Sequence, residues 1–248
     1  MGAPRAVVAG LGKTGHSVIR HLLALGWQVT ATDTRPAPPG IAELRAMAPG
    51  LRVALGGLDV GLLADVDYVV ASPGLPQSDP FFIAARSLRV PVIGDVELFA
   101  RSGARRVAAI TGTNGKSTVT SLLALMGRRA GLAARAGGNL GPPALDLLAG
   151  DPADLYVLEL SSYQLETTFS LQLAAAAVLN VTPDHLDRYA DVASYAAAKA
   201  RIFERCQVAV VNADDAQVAA MVRPGQRVKS FSLRGAAGAD YVLCAEGG

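Results

Sequence analysis

A glycine-rich segment near the middle of the chain constrains the fold more than any other feature. Residues 110–118 read ITGTNGKST; they overlap the end of an apolar run at 107–110 and precede a helix-like stretch at 119–129. A strand, a glycine-rich turn and a helix N-terminus form a cradle in which backbone N–H groups and the helix dipole face a phosphate. In such a cradle Lys116 reaches the terminal phosphates and Ser117 can ligate Mg²⁺. An isoleucine stands where the usual pattern has its first glycine, and a chance glycine-rich turn is the alternative.

The composition limits the classes of function. Of the 248 residues, 51% are hydrophobic and 18% charged, so the chain can bury one large or two modest cores. The net charge of +2 is too small to indicate nucleic acid or an anionic membrane as a partner. No stretch approaches the ~18 apolar residues of a membrane span, and we expect no signal peptide. Cys206 and Cys244 lack metal-like spacing, so we expect a cytoplasmic protein with reduced core thiols.

Apolar strand-like runs alternate with helical patterns along the chain, which predicts parallel sheets with helices on both faces. The pattern resets between residues 94 and 106, where residues 102–106 resemble a linker. We predict an α/β fold with a Rossmann-like domain over residues 1–95 and an incomplete P-loop domain over residues 96–248. Residues 228–248 look like strands and turns without a closing helix, so we expect the chain to stop inside the second domain.

Three strand-end turns in the first domain predict a nucleotide site. Residues 10–15 read GLGKTG, and Asp33 ends the second strand-like run, which together match the dinucleotide-binding fingerprint. Taken alone this indicates an NAD-type dehydrogenase, but the same turn can hold any nucleotide diphosphate, or no ligand at all. Arg35 lies at the same strand end, and residues 72–74 (SPG) follow another strand. Since carboxyl ends of parallel strands meet at one edge, the three turns together favour a nucleotide site.

Three strand-end or loop residues in the second domain could carry chemistry. Asn139 lies among glycines that permit close backbone approach, although a plain flexible loop is an equal alternative. Glu159 ends an apolar run, where an acidic residue is costly unless it binds a metal such as Mg²⁺ or forms a structural salt bridge. His185 lies in the loop TPDHLD at 182–187, where it could bind metal or phosphate or be a solvated loop histidine.

Lys199 lies in a stretch of small residues with a helical pattern. An exposed helix lysine is the ordinary interpretation. The alternative is carbamylation: the unperturbed pKa of ~10.4 falls when the amine is buried beside cations. A neutral amine can add CO₂ and become an anionic oxygen ligand suited to Mg²⁺. The residues alone leave both interpretations open.

Taken together, these motifs resemble the Mur ligases, the ATP-dependent amino-acid ligases of peptidoglycan precursor synthesis. The resemblance runs from about residue 6 to residue 215 and rests on GLGKTG at 10–15, DTR at 33–35, SPG at 72–74, GTNGKS at 112–117, LELSS at 158–162, NVTPDHLD at 180–187 and Y-x-x-x-K at 195–199. The first-domain motifs are most similar to the branch that joins D-glutamate to UDP-N-acetylmuramoyl-L-alanine.

The resemblance implies a role for each matching residue in binding the uridine-linked substrate. The first domain would hold the uridine diphosphate. Its pyrophosphate side would face Lys13, Thr14 and Gly15, its uracil end Thr34 and Arg35, and its sugar and phosphates Ser72, Pro73 and Gly74. Asn139 and His185 would contact the muramoyl-peptide part, and Ser161 and Tyr195 would support this site.

The resemblance also implies an ATP site with two Mg²⁺ ions. ATP would be held by Gly112, Thr113, Asn114, Gly115, Lys116, Ser117 and Thr118. One Mg²⁺ would bind Ser117 and Glu159, and the second would bind His185 and carbamylated Lys199. Lys116, His185 and Lys199 would take part in the reaction, in which ATP converts the L-alanyl carboxylate to an acyl phosphate that the D-glutamate amine attacks.

Mur ligases have three domains, and this sequence ends within the second, so we expect the chain alone, as a monomer, to be unable to complete the ligation. Three alternative functions remain possible from the sequence. The first is another ligase of the superfamily, such as a different Mur ligase or folylpolyglutamate synthase. The second is an NAD(P)-dependent oxidoreductase, in which the downstream P-loop would have no role. The third is a non-catalytic nucleotide-binding remnant.

Overall fold

A computed structural model describes residues 2–244 and divides the chain into two compact units, Met1–Phe99 and Ala100–Gly248. Each unit is built on one parallel sheet. The last four residues of the stretch predicted to be strands and turns lie outside the described residues. Within the described residues, no helix is both long enough and apolar enough to span a lipid bilayer.

The first unit has a five-stranded sheet in the order β3-β2-β1-β4-β5. Its strands are β1 Arg5–Ala9, β2 Gln28–Asp33, β3 Arg52–Leu55, β4 Tyr68–Ala71 and β5 Val92–Ile93. Its helices are α1 Lys13–Ala24, α2 Ile41–Met47, α3 Pro80–Ser87 and the start of α4 Asp95–Arg101, with a 3₁₀ turn at Val60–Leu63. The strand order reverses between β1 and β4, which is where open parallel sheets bind ligands.

The central strands of this unit follow from their sequence. β1 and β4 are short apolar runs that are almost fully buried, as parallel strands covered on both faces must be. In α1, Val18, Ile19 and Leu22 fall on one face at helical spacing and are buried, whereas Arg20 is exposed. Gly26 follows the helix end, as predicted, and the N–H of Trp27 bonds back to the carbonyl of Leu22 at 3.0 Å.

The second unit has a seven-stranded sheet in the order β12-β11-β10-β9-β6-β8-β7. Its strands are β6 Val107–Thr111, β7 Ala134–Gly138, β8 Leu155–Glu159, β9 Ala175–Val178, β10 Ala209–Asn212, β11 Val228–Ser232 and β12 Tyr241–Val242. Its helices are α5 Lys116–Arg129, α6 Ser162–Glu166, α7 Val192–Ala200 and α8 Ala216–Ala219, with 3₁₀ turns at Ala144–Leu148 and Arg201–Phe203. The strand β6, which precedes the glycine-rich loop, lies between β8 and β9, so the carboxyl ends of all three meet at one edge.

The structure corrects several expectations. The strands β3 and β7 and the helix α4 were not predicted, and the helical pattern that begins near residue 192 predicts a helix over 192–205, whereas α7 ends at Ala200 and continues as a 3₁₀ turn. The prediction of core thiols is wrong: Cys206 is half-buried in the turn after that 3₁₀ segment, and Cys244 is exposed after the edge strand β12. Both thiols are free.

Candidate functional site

The glycine-rich loop of the second unit joins β6 to α5, as its sequence predicts. Gly112 has φ +150° and Gly115 has φ +83°, values that favour glycine. The helix begins at Lys116, and no described side chain caps it. The first-turn N–H groups of an uncapped helix are available to an anion, so the loop has the form of a phosphate cradle. Ser117 and Thr118 are exposed in that first turn.

Two lysines converge on the carbonyl of Gly112. The Lys116 Nζ donates to the carbonyl oxygens of Gly112 at 3.0 Å and Thr113 at 2.9 Å, and the Lys199 Nζ donates to the Gly112 oxygen at 2.9 Å. Lys199 is only 2% exposed, so its interpretation as an ordinary surface lysine is wrong. Burial, and then the charge of Lys116, lower the pKa of Lys199 to about 7, against a smaller opposing effect of Asp184. The cradle therefore holds two amines close to one carbonyl.

Glu159 connects two other predicted site residues, Ser117 and Asn139. Its Oε2 accepts a hydrogen bond from the Ser117 hydroxyl at 2.8 Å, and its Oε1 accepts one from the Asn139 Nδ2 at 2.7 Å. The Asn139 N–H also bonds to the Glu159 carbonyl at 2.8 Å. Glu159 is buried, and its partners are neutral donors rather than the cation that a structural salt bridge requires.

Asn139 is positioned by the strand before it. Residues 137 and 138 belong to β7, so the interpretation of this glycine segment as a plain loop is wrong there. Gly138 has φ +107°, and a Cβ at this position would clash with the carbonyl oxygen of Glu159. The close pairing of β7 with β8 therefore requires glycine, and it places Asn139 beside the end of β8.

Tyr195 connects the cradle to the His185 loop. Its hydroxyl lies 3.4 Å from the Thr113 Oγ1, and its ring centroid lies 4.4 Å from the Lys199 Nζ and 5.8 Å from the His185 ring. Burial raises the pKa of Tyr195. The contacts of His185 include the Tyr163 ring, with centroids 5.0 Å apart. His185 and Lys199 therefore both contact one buried tyrosine.

The His185 backbone has φ +53°, a left-handed conformation that residues other than glycine adopt rarely. Its imidazole is exposed, and its Nε2 lies 3.6 Å from an oxygen of Asp184. Ser161, by contrast, is occupied in a local structural role. Its hydroxyl caps α6 by accepting the Gln164 N–H at 3.2 Å, and the Gln164 side chain accepts the Ser161 N–H at 3.1 Å.

The glycine-rich turn of the first unit is tightly packed. A Cβ on Gly15 would clash with the carbonyl oxygen of Gly10, which also accepts the Ser72 hydroxyl at 2.9 Å. The helix α1 begins at Lys13 after Gly12, and no described side chain caps it. Thr14 is half-buried in its first turn, and Pro73 and Gly74 continue from Ser72 at the same edge of the sheet.

Asp33 is occupied by protein donors. Its Oδ2 accepts the Leu11 N–H at 2.6 Å and the Arg35 Nη2 at 2.7 Å, and its Oδ1 accepts the Arg35 backbone N–H and Nε, both at 2.8 Å. Burial alone would raise the pKa of Asp33, but the hydrogen bonds from Arg35 and Leu11 lower it to about 2. An NAD-binding protein uses this acidic residue on the ribose. Here the carboxylate instead holds Arg35, which is half exposed beside the exposed Thr34.

Comparison with known protein families identifies the chain. A family model described as the Mur ligase middle domain matches residues 110–244, more than half of its length. The chain belongs to the Mur ligase family. A second model, the MurD-like N-terminal domain of the Mur ligases, matches residues 4–94.

Curated relatives extend the Mur ligase comparison over most of the chain. It is 49% identical over 241 residues to the UDP-N-acetylmuramoylalanine–D-glutamate ligase of Nitrosococcus oceani, covering 97% of this chain and 53% of the relative. The enzyme of the same name from Chromobacterium violaceum is 47% identical over 249 residues, covering 97% and 54%. The chain thus spans about half the length of the curated relatives it matches.

A solved Mur ligase structure shares the fold. The structure of the UDP-N-acetylmuramate–alanine ligase MurC from Thermotoga maritima matches with a TM-score of 0.55 at 20% identity, covering 94% of this chain and 53% of that one. Together with the family models, this confirms the predicted α/β class, with a Rossmann-like N-terminal domain and a P-loop domain of the Mur ligase central type. The family resemblance predicted from the motifs is also confirmed.

Sequence reasoning about this Mur ligase missed residues that hold the site together. The side chain of Asn180 hydrogen-bonds the backbone of Asn114, and Arg188 lies over the Tyr163 ring at 4.2 Å. Asn180 lies within the quoted NVTPDHLD motif, and a polar residue just after a strand at the site edge was the available signal. Nothing in the local sequence indicated that Asn180 faces the cradle, because β9 and β6 are far apart in the chain.

Proposed function

We propose that this chain forms the uridine-nucleotide-binding and ATP-binding domains of an ATP-dependent ligase that joins D-glutamate to UDP-N-acetylmuramoyl-L-alanine in peptidoglycan precursor synthesis. The relatives that match nearly the whole chain carry the corresponding name. The observation that carries the proposal is the hydrogen-bonded set of Ser117, Glu159 and Asn139 beside a cradle with two lysines. A hydride-transfer enzyme has no use for such a set.

We assign residues 1–95 to the uridine-linked substrate and residues 96–248 to ATP. In the first domain the pyrophosphate meets the uncapped start of α1 at Lys13, Thr14 and Gly15. Thr34 and Arg35 meet the uracil, and the sugar and phosphates meet Ser72, Pro73 and Gly74. Support comes from the fixed geometry of this edge: Ser72 ties the turn, and Asp33 holds the Arg35 guanidinium in one orientation.

In the second domain the phosphates of ATP enter the cradle from Gly112 to Thr118. Lys116 now bonds to carbonyl oxygens of its own loop, and it would exchange them for phosphate oxygens, which form stronger charge-assisted hydrogen bonds. The Lys199 side chain lies at the Gly112 end of the loop. Asn139, His185 and the supporting Tyr195 and Ser161 meet the muramoyl-peptide part.

The side chains of the second domain fit Mg²⁺. Ser117 and Glu159 offer a hydroxyl and a carboxylate, the hard oxygen donors that this ion prefers. The described residues contain no group of three or more His, Cys, Asp or Glu side chains, so phosphate oxygens and water would complete the coordination. His185 and carbamylated Lys199, which flank Tyr195, would hold a second ion. Bound Mg²⁺ would neutralise charge between the carboxylate and the γ-phosphate.

The reaction would have two steps. The L-alanyl carboxylate oxygen attacks the γ-phosphorus of ATP, and ADP leaves, giving an acyl phosphate. The amine of D-glutamate then attacks the carbonyl carbon, loses a proton, and phosphate leaves as the amide forms. Lys116 orients the γ-phosphate and offsets its charge, whereas Asn139 and His185 hold the acceptor in line. We place this monomeric ligase in the cytoplasm, where ATP is available, with no nucleic-acid or membrane partner.

Calorimetric titration of this chain with UDP-N-acetylmuramoyl-L-alanine tests the proposal, with NADH as the comparator. The proposal predicts saturable binding of the uridine-linked substrate and none of NADH. Binding of NADH alone would contradict it. A folded chain that binds neither compound would reject the uridine site, and circular dichroism would establish folding independently.

A further inference from the structure

Asn180 holds the main chain of the phosphate cradle through both polar backbone groups of one residue, Asn114. Its Oδ1 accepts the Asn114 N–H at 2.8 Å, and its Nδ2 donates to the Asn114 carbonyl oxygen at 3.1 Å. The carboxamide thus pairs with the main chain as a neighbouring peptide would. Both contacts use the backbone of Asn114, so the clamp is independent of the side chain at that position.

Further contacts join the segment around Asn180 to the cradle. The Thr113 N–H donates to the Asn180 carbonyl at 3.0 Å, and the Thr182 N–H donates to the Thr113 Oγ1 at 3.1 Å. A Cβ on Gly112 would lie 3.1 Å from the Leu179 Cβ, so the two segments are in close contact. The cradle and the segment 179–182 therefore pack as one piece.

The segment that carries Asn180 is itself held from the side of β10. The Asn212 Nδ2 donates to the Leu179 carbonyl at 2.9 Å, and the Val181 N–H donates to the Asp215 Oδ2 at 2.8 Å. Asp215 is in turn fixed as the N-cap of α8. Asn180 is thus attached to a support with little freedom, and it can transmit that rigidity to the glycine-rich loop.

We propose that Asn180 is a positioning residue of the phosphate cradle, which fixes the main chain at Asn114 before a nucleotide binds. The inference rests on the proposed ATP site and adds a residue to it. A loop with glycines at 112 and 115 loses much conformational freedom when it orders, and a clamp present in the free protein reduces that loss on binding. The neutral carboxamide suits the place, because it offers a donor and an acceptor without adding negative charge beside a phosphate.

The test is calorimetric titration of MgADP into the wild-type chain and the variants Asn180→Ala and Asn180→Asp. Removing two hydrogen bonds to the loop is expected to raise the Kd for MgADP about tenfold in Asn180→Ala. Asn180→Asp keeps the volume and one acceptor but loses the donor and adds negative charge near the phosphates, so its Kd is expected to rise further. UDP, titrated into each variant, is expected to bind as in the wild type, which reports that the first unit is folded, and circular dichroism reports the folding of the second.

Gln226→Ala is the matched control. Gln226 also makes a two-sided amide contact, donating to the Phe203 carbonyl at 2.7 Å and accepting the Arg223 N–H at 3.2 Å. It is expected to lower Tm as Asn180→Ala does while leaving the Kd for MgADP unchanged. Wild-type affinity for MgADP in both Asn180 variants would overturn the inference, and in Asn180→Asp alone it would do so even if Asn180→Ala failed to fold. A wild-type chain that binds UDP but not MgADP would instead reject the proposed ATP site.

Discussion

The two glycine-rich turns of this molecule share a backbone plan and differ in the side chain that secures them. Each follows a buried strand, turns through glycines and enters a helix that no described side chain caps. In the first unit a carboxylate, Asp33, holds the turn through the Leu11 N–H. In the second unit a carboxamide, Asn180, holds the loop through the main-chain N–H and carbonyl of Asn114.

The two anchors differ in charge, but each turn leads into a helix that begins with a lysine. The negative charge of Asp33 is balanced by Arg35, so this anchor leaves the charge of Lys13 available to a diphosphate. Asn180 is neutral, so the anchor of the second turn does not offset the positive charge of Lys116 beside a triphosphate. The following variants test this comparison.

Gly15→Ala is expected to have the largest effect, because its Cβ would clash with the main-chain oxygen of Gly10. We expect the first unit to lose about 3 kcal/mol of unfolding free energy. Trp27 is the single tryptophan of the sequence and lies in this unit, so its fluorescence during urea unfolding measures the loss. Gly12→Ala is the control: a Cβ there has no described atom within 4 Å, and a cost below about 1 kcal/mol is expected. Equal costs for both variants would show that the tight turn is not required.

Lys116→Ala is expected to weaken MgADP binding roughly thirtyfold to a hundredfold, which corresponds to the loss of a charge-assisted hydrogen bond of about 2–3 kcal/mol. UDP binding should not change, because the two turns lie in different units. Calorimetry with both ligands on one preparation measures this. A parallel loss of UDP affinity would show that the two turns do not act separately.

Asp33→Asn is expected to weaken binding of UDP-N-acetylmuramoyl-L-alanine about tenfold, because Arg35 loses its charged partner.

The same variant tests how the stability of the first unit depends on pH. The folded pKa of Asp33 is about 2 against an ordinary value of 3.8, so the folded state favours the ionised form. The stabilisation is therefore fully present above about pH 4 and is lost as the pH falls through 2.

Urea unfolding of the wild type and of Asp33→Asn at pH 7, 4 and 3, followed by Trp27 fluorescence, checks this pH dependence. The difference between the two proteins should shrink as the pH falls. A difference that stays constant would mean that ionised Asp33 does not stabilise the first unit.

Ser72→Ala is expected to have the smallest effect. It removes one hydrogen bond, from the Ser72 hydroxyl to the Gly10 carbonyl at 2.9 Å, which is worth about 1 kcal/mol at most. A threefold to fivefold rise in the Kd for UDP, without change for MgADP, is the expected calorimetric result. A larger effect than that of Asp33→Asn would mean that Ser72, rather than Asp33, is the main contact that holds the turn.

The elements predicted best from sequence are those whose signal is local. The sequence predicts a strand directly before residues 72–74, and β4 lies there because a continuous apolar run is bounded by breaking residues. The strand β7, with the sequence ARAGG, was missed because two glycines oppose strand formation locally. Its pairing with β8 overrides that preference, since glycine is what allows the close approach to Glu159.

In the candidate site, too, features with a local sequence signal could be predicted, and features that depend on tertiary contacts could not. An acidic residue at the end of an apolar strand and a glycine-rich turn before a helix are visible in the sequence, so Glu159 and the cradle could be predicted. The burial of Lys199 could not be, because a helix of small residues does not reveal which face is covered. The clamp by Asn180 and the pairing of Asp33 with Leu11 depend on strands brought together only by the fold.

The central claim is that one chain carries two separate phosphate-binding turns. The most direct test is sequential calorimetry, in which the chain is saturated with MgADP and then titrated with UDP-N-acetylmuramoyl-L-alanine in the same cell. The account predicts that the chain binds one equivalent of each ligand. UDP-N-acetylmuramoyl-L-alanine should bind with the same stoichiometry whether or not MgADP is already bound. Loss of the second binding event after saturation with MgADP would mean that both ligands compete for one site, and it would contradict the account.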